Sequence, residues 1–178
     1  MQRTIWLALS YNVPINPSKA RVYVWRKLKE FGAEYFKQGV AILPISAQSM
    51  QQFAALAQKI RQMGGEASIV ELRFTDPIDE AQMTARFKKQ AEDEYTALLN
   101  DCKNALRELR NLPSAFSLSQ QEGERMKQVV KRYRKARSKD YFKTSASREI
   151  EAGIDEMIDS VREIASDFSK QLRSMMEN

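Results

Sequence analysis

The stretch TIWLALS, at residues 4–10, is the first of the short apolar runs that decide the fold of the first half of the chain. Its continuous apolar character, and the segment NVPINP that follows it closely, indicate a buried β-strand. Further strands are predicted at residues 34–37, 40–45 and 67–74, where β-forming residues are bounded by glycine or proline. The first 75 residues therefore hold the strands of one sheet.

Two helical patterns separate these strands, one from about residue 18 to 31 and the other from 47 to 63, and each ends at glycine. The resulting order, strand, helix, strand, strand, helix, strand, is that of the split βαβ or ferredoxin-like domain. We therefore predict an α+β fold with a ferredoxin-like βαββαβ domain over residues 1–75. The apolar residues expected to face its core are Val22, Trp25, Leu28 and Phe31 in the first helix, and Met50, Phe53, Ala54, Ala57 and Ile60 in the second.

Residues 76–178 are predicted to form a C-terminal antiparallel three-helix region, because glycine and proline become scarce and the apolar period becomes helical. The helices are expected at about 79–110, 119–137 and 145–175, and Ser119 and Glu122 form a capping-box pattern at the second. Cys102 lies in the apolar stripe of the first helix, so we expect a core residue rather than a reactive thiol. The inward stripe of the third helix is Ile150, Ile154, Met157, Val161, Ile164, Phe168, Leu172 and Met175.

The composition excludes several classes of enzyme. The chain has no histidine and a single cysteine, which removes Ser-His, Cys-His and His-zinc chemistry and any disulfide framework. No glycine-rich phosphate loop is present, and no apolar run approaches the roughly 20 residues of a membrane helix. We therefore expect a cytoplasmic protein that has no catalytic residues, no metal, no cofactor and no membrane partner.

The densest positive charge lies in RMKQVVKRYRKARSKDYFK, at residues 125–143. A helical projection at about 100° per residue places the apolar residues on one face and the basic residues on the other. Such a basic ridge neutralises phosphates and releases counterions, which favours DNA as the partner. The candidate nucleic-acid-binding residues are Arg125, Lys127, Lys131, Arg132, Arg134, Lys135, Arg137 and Lys139.

A structural role for the same helix is the alternative. Its cations are then expected to pair with acids of neighbouring helices, within the chain or in a homodimer, and the protein is a non-enzymatic interaction module. The acids available for such pairs are Asp101 and Glu108 on one helix, and Asp155, Glu156, Asp159 and Glu163 on another.

A second basic cluster lies on the first helix. Residues 1–75 contain ten Lys and Arg against four Asp and Glu, a balance of +6 that equals the formal net charge of the whole chain. These cations are suited to flank a nucleic-acid groove, whereas Trp25, at helical spacing from Val22 and Leu28, is expected to be a core anchor rather than a stacking platform. The cluster consists of Lys19, Arg21, Arg26, Lys27 and Lys29 beside Glu30.

Several short motifs occur along the chain in a recognisable order. They are Ser10-Tyr11 before Pro14, Pro17-Ser18, Arg21-Val22, Trp25-Arg26, Gly32-Ala33, Gly39-Val40, Leu43-Pro44, Gly64-Gly65-Glu66-Ala67, Arg86-Phe87, Glu94-Tyr95 and RSKDYF at residues 137–142. Together these motifs resemble the N-terminal region of the chromate-resistance regulator ChrB family. The resemblance implies a ferredoxin-like domain followed by helices, in a bacterial transcription regulator that binds the promoter DNA of its own operon and is relieved by chromate. Longer family members carry a further C-terminal domain associated with the chromate response. This chain, which ends at Asn178, is expected to lack that domain, so the resemblance supports DNA binding or dimerisation more than chromate sensing.

Ferredoxin-like nucleases associated with CRISPR systems offer a third interpretation. In those enzymes an aspartate at the end of the first strand holds the metal. This chain has Ser10-Tyr11-Asn12 at the matching place, without the carboxylate that a hard cation requires. The residues therefore argue against metal-dependent cleavage of phosphodiesters.

Overall fold

The computed structural model describes residues 4–14, 19–111, 118–162 and 165–177. The chain divides into two compact units, Met1–Phe87 and Lys88–Asn178, and the division falls within one long helix. Within the described residues the fold is mixed α/β, with one four-stranded antiparallel sheet and six helices. The elements are β1 (Trp6–Asn12), α1 (Lys19–Phe31), β2 (Glu34–Lys37), β3 (Val40–Pro44), α2 (Ala47–Gln62), β4 (Glu66–Leu72), α3 (Pro77–Arg110), α4 (Gln120–Arg137), α5 (Ala146–Arg162) and α6 (Ser166–Glu177).

The sheet of the first unit has the strand order β2-β3-β1-β4, and all neighbouring strands are antiparallel. Strand β1 lies inside the sheet, where Trp6 stands opposite Pro44 on β3 and Leu72 on β4. Residues 6–9 are all buried, so both faces of β1 are covered, which explains its unbroken apolar run. Helix α2 packs against β1 and β4, and α1 packs against α2.

The predicted core face of α1 is partly wrong: Leu28 is buried as predicted and Phe31 is partly buried, but Val22 and Trp25 are not. The buried stripe is Ala20, Val24 and Leu28, whereas Val22 and Trp25 are 43% and 51% exposed. Arg26 and Lys29 lie one turn after Val22 and Trp25, so a helix rotated to bury the predicted face would also bury two cations. Desolvating those charges costs more than burying the indole gains.

The predicted core face of α2 is partly wrong. Phe53, Ala57 and Ile60 are buried as predicted, but Met50 is 47% exposed and Ala54 is also exposed. Ser49 and Leu56 complete the buried stripe instead. The Ser49 hydroxyl can be buried because it donates to the Pro44 carbonyl at 2.9 Å and accepts from the Ser46 backbone N–H at 2.8 Å, as part of the N-terminal cap.

The second unit is helical around one apolar core. Residues of α3, α4, α5 and α6 contribute to this core, and Cys102 is fully buried in it, as predicted. Burial raises the pKa of the Cys102 thiol to about 11, so the thiolate does not form near neutral pH. The largest fully buried side chains of this unit include Tyr95, Leu98, Met126 and Tyr133.

The prediction of one helix at residues 145–175 is wrong, because the structure has the separate helices α5 and α6 there. The Ser169 hydroxyl lies 3.0 Å from the Ile158 carbonyl oxygen, whereas a continuous helix would separate these residues by about 16 Å along its axis. The apolar period survives the break because both helices face the same core. Of the predicted stripe, Ile150, Ile154, Met157, Val161 and Leu172 are buried, Phe168 and Met175 are partly buried, and Ile164 lies outside the described residues.

None of the helices in the described parts of the chain has the length and apolar character needed to cross a membrane.

Candidate nucleic-acid interface on helix α4

A capping box begins α4, as the sequence predicts. The Ser119 hydroxyl oxygen accepts from the Glu122 backbone N–H at 3.3 Å, and the Glu122 carboxylate accepts from the Ser119 backbone N–H at 2.8 Å. The same carboxylate accepts a hydrogen bond from the Ser119 hydroxyl, and these bonds lower the pKa of Glu122. The helix continues to Arg137, and Ser138 is its C-terminal cap.

The apolar face of α4 is buried as predicted, and this burial determines which side chains point outward. The Tyr133 hydroxyl donates a hydrogen bond to the Glu151 carboxylate of α5. Burial, reinforced by that bond, raises the pKa of Tyr133 above its ordinary value, so the tyrosine remains a donor. The rotation of α4 is therefore held by packing and by this bond, and the buried residues are Met126, Val129, Val130, Tyr133 and Ala136.

Half of the eight candidate residues form ion pairs within the second unit. Arg125 places one guanidinium nitrogen 2.9 and 3.0 Å from the two Glu108 carboxylate oxygens. Lys139 is the most enclosed of the eight, with a side chain 11% exposed. The pairs are Arg125–Glu108, Arg132–Asp101 and Lys139–Glu94, which reach α3, and Lys127–Glu124 within α4.

The acids of α5 pair with cations outside α4. Arg173 of α6 lies 3.3 Å from Asp155 and 3.0 Å from Asp159, and Arg110 of α3 lies 2.8 Å from Glu156. The expected pairing of α4 with acids on two neighbouring helices therefore occurs with α3 and, for these three acids, not with α5. Glu163 lies outside the described residues.

The other half of the candidate set, Lys131, Arg134, Lys135 and Arg137, is exposed. Within residues 4–14, 19–111, 118–162 and 165–177, none of these four side chains has an ion-pair partner. We call this set the open α4 cations. They line a shallow depression of about 700 Å³ together with Ser138, Met176 and Glu177.

The sequence that contains these residues is similar to those of known proteins. The family described as "Protein ChrB, N-terminal" matches residues 21–175, which include all of α4. The chain belongs to this family. Protein ChrB of Cupriavidus metallidurans is 27% identical over 104 residues, which is 58% of this chain and 32% of that protein, so the matched region spans about a third of the relative. No solved structure matches the chain.

Two further cations of this ChrB-family chain, Lys143 and Arg148, were missed by the sequence reasoning. Together with Arg137 they line a second depression of about 560 Å³, next to the open α4 cations. The Asp140 carboxylate in its wall accepts hydrogen bonds from the Tyr95 hydroxyl at 3.2 Å and from the Thr144 backbone N–H at 3.0 Å. Lys143 could have been predicted, because the basic run of the sequence continues to it. Arg148 could not, because it belongs to α5 and only the fold brings it close to Arg137 and Lys143.

On α1 of this ChrB-family chain, Lys27 pairs with Glu30 at 2.9 Å. Among the residues that the structure describes, the other members of the cluster, Lys19, Arg21, Arg26 and Lys29, have no ion-pair partner. The same described part of the chain holds no group of three or more His, Cys, Asp or Glu residues arranged to bind a metal.

Proposed function

We propose that this ChrB-family chain is a non-enzymatic DNA-binding regulator of the cytoplasm, and that the open α4 cations make its phosphate contacts. The observation that carries the proposal is the division of the eight candidate residues, seven of which lie on α4 and one, Lys139, just after it. Four are paired with carboxylates, while four are exposed and unpaired among the described residues. Cations without a carboxylate partner bind phosphate without first breaking an ion pair, and they gain the free energy of counterion release.

The paired residues add a smaller part to the same interface. Exposed ion pairs contribute only about 0 to 1 kcal/mol, so the Arg125 and Arg132 side chains, each more than half exposed, exchange readily between carboxylate and phosphate. Lys139 is mostly enclosed beside Glu94 and is assigned to the bundle instead. Lys143 and Arg148 extend the proposed surface beyond the end of α4.

We also propose that the first unit is a ferredoxin-like domain. Its support is the element order βαββαβ and the strand order, which is β4-β1-β3-β2 when read from the β4 edge. Family membership supports chromate resistance as the regulated process.

A structural module is the second candidate function. It is favoured by the ion pairs of Arg125, Arg132 and Lys139 with α3, which use cations of the basic segment inside the bundle. On this view the remaining cations hold a homodimer together. Removing the open α4 cations then lowers the dimer population and leaves no DNA affinity to lose.

The test compares two variants that each lose four positive charges. The first is Lys131→Gln, Arg134→Gln, Lys135→Gln and Arg137→Gln, and the matched control is Lys59→Gln, Lys88→Gln, Lys103→Gln and Arg107→Gln, which are also exposed. Duplex DNA from the chain's own promoter is titrated by fluorescence anisotropy at several salt concentrations, with and without chromate. Since each phosphate contact contributes about 0.9 to the slope of log affinity against log salt, the first variant is expected to lose up to about 3.6 of that slope.

The control variant is expected to keep most of the affinity and most of the salt slope. Equal losses of DNA affinity in the two variants would show that only net charge matters, and would contradict the assignment of the DNA interface to α4. Sedimentation of the same samples distinguishes the DNA-binding regulator from the structural module. If the chain is a structural module, the first variant should dissociate from a dimer and the unchanged chain should not bind DNA.

A further inference from the structure

A groove of about 390 Å³ lies beside α1 in the first unit. Side chains of β1, β2 and α1 and the residue after β1 form its walls. It belongs to a different unit from the open α4 cations. Its lining residues are Tyr11, Val13, Arg21, Val22, Trp25 and Tyr35.

The apolar part of this groove is unusually exposed. Trp25 is 51% exposed and Val22 is 43% exposed, whereas Trp6, the other tryptophan of the chain, is fully buried. A tryptophan normally buries a large area and contributes strongly to cores and interfaces. An indole left at the rim of a groove is therefore available to a ligand with a flat apolar face.

The polar groups of the groove are donors and a cation. The Tyr11 and Tyr35 hydroxyls are 3.1 Å apart and hydrogen-bonded to each other. Burial and then the bond to Tyr35 raise the pKa of Tyr11, against the opposing effect of the Arg21 charge, so the Tyr11 hydroxyl stays protonated. Among the described residues, Arg21 has no ion-pair partner and the groove has no carboxylate in its lining.

Further cations lie along the same exposed side of α1. Lys19, Arg26 and Lys29 are exposed and have no ion-pair partner among the described residues. Trp25 thus stands among cations on an exposed helix surface. Interleaving of aromatic rings with basic side chains is the arrangement with which proteins hold single-stranded nucleic acid, through base stacking and phosphate contact.

We propose that this groove binds an unpaired base of a single-stranded nucleic acid, which stacks on Trp25 while Arg21 and the neighbouring α1 cations contact the adjacent phosphates. The Tyr11 and Tyr35 hydroxyls are placed to hydrogen-bond the edge of that base. A neutral apolar peptide would offer no anionic group to Arg21, and a small carboxylate would not reach the cations outside the groove. The remaining rival is an acidic peptide with an aromatic side chain, and the test includes it.

Tryptophan fluorescence tests the proposal directly, because Trp25 is exposed and Trp6 is buried. Oligothymidylate is titrated into the full chain, with corrections for absorbance. We expect quenching of the Trp25 emission and no quenching in the Trp25→Phe variant, in which Trp6 alone emits. Triphosphate carries the charge without the base and is expected to cause little quenching.

Affinity measurements by anisotropy complete the test. Trp25→Ala is expected to weaken oligothymidylate binding roughly 5- to 150-fold, the range of one base stacked on an aromatic ring. Arg21→Gln is expected to lower the salt slope by about 0.7, the value for one phosphate of a single strand. The matched control is Met50→Ala, which removes a similarly exposed apolar side chain from α2. Circular dichroism checks that each variant is folded, as expected for changes at exposed positions.

Three results would overturn the proposal. They are unquenched Trp25 emission, equal affinities of Trp25→Ala and Met50→Ala, and an acidic phenylalanine-containing peptide that binds as tightly as the oligonucleotide. The variant without the open α4 cations distinguishes this site from the proposed duplex interface. It is expected to lose duplex binding and to keep the Trp25 quenching, so either site can fail while the other stands.

Discussion

The Ser169 hydroxyl donates a hydrogen bond to the backbone carbonyl of Ile158 over 3.0 Å, and this bond joins α6 to α5. Ser169 is buried, and Leu172, one turn later, is fully buried. The bond therefore belongs to the turn that brings the last helix back onto the bundle. The turn allows the apolar stripe of α6 to pack on the core, whereas in one straight helix these residues would extend beyond it.

Replacing Ser169 with alanine is expected to lower the free energy of unfolding by about 0.5 to 1.5 kcal/mol, because one intramolecular hydrogen bond is lost at a buried site. The matched control is Ser160→Ala, whose hydroxyl bonds the Glu156 carbonyl of its own helix at 2.8 Å. Such a bond within one helix contributes little to stability, so the control should be close to neutral. Urea titrations compare the two, and equal losses would show that the Ser169 bond does not hold α6.

Replacing Gly65 with alanine is expected to destabilise the first unit. A Cβ at this position would lie 2.4 Å from the Asn12 carbonyl oxygen and 2.9 Å from an Ile60 methyl group. The backbone of β1 must then shift, and such overpacking costs about 1 to 3 kcal/mol. Gln62→Ala, at the exposed end of α2, is the control and should be nearly neutral. Thermal unfolding measures both, and an unchanged midpoint for Gly65→Ala would contradict the close approach.

The buried thiol of Cys102 predicts a loss of stability at alkaline pH. Burial raises its pKa from the ordinary 9.0 to about 11 in the folded protein, so the unfolded chain loses the thiol proton first as the pH rises. The folded state is therefore expected to lose stability between about pH 9 and pH 11. Cys102→Val lacks this titration and should lose less stability over the same interval.

Urea unfolding of both proteins at several pH values gives the difference directly. Because the buried tyrosines titrate in both proteins, their effect cancels when the variant is subtracted. Parallel stability curves from pH 8 to pH 11 would show that the Cys102 thiolate is accommodated in the core.

The sequence determined much of the second unit. The apolar period of α4 predicted which residues are buried, and Ser119 and Glu122 predicted where the helix begins. These features are local, since capping depends on residues three apart and an amphipathic helix has one apolar side to bury. The same reasoning predicted the burial of Cys102 correctly, because apolar residues lie one helical turn before it and one turn after it on the same face of α3.

Only the tertiary structure decided which cations are paired. Arg132 and Arg134 lie on the same helix and look equivalent in the sequence, yet Arg132 forms an ion pair with Asp101 and Arg134 has no ion-pair partner among the described residues. The difference depends on where α3 lies, and a carboxylate is an effective partner only within a few ångströms. Likewise α1 carries two apolar stripes. The stripe of Ala20, Val24 and Leu28 is buried, whereas the stripe of Val22 and Trp25 stays exposed because cations lie beside it. Periodicity predicts that a helix has an apolar face, but the relative cost of burying each face depends on its neighbours in space.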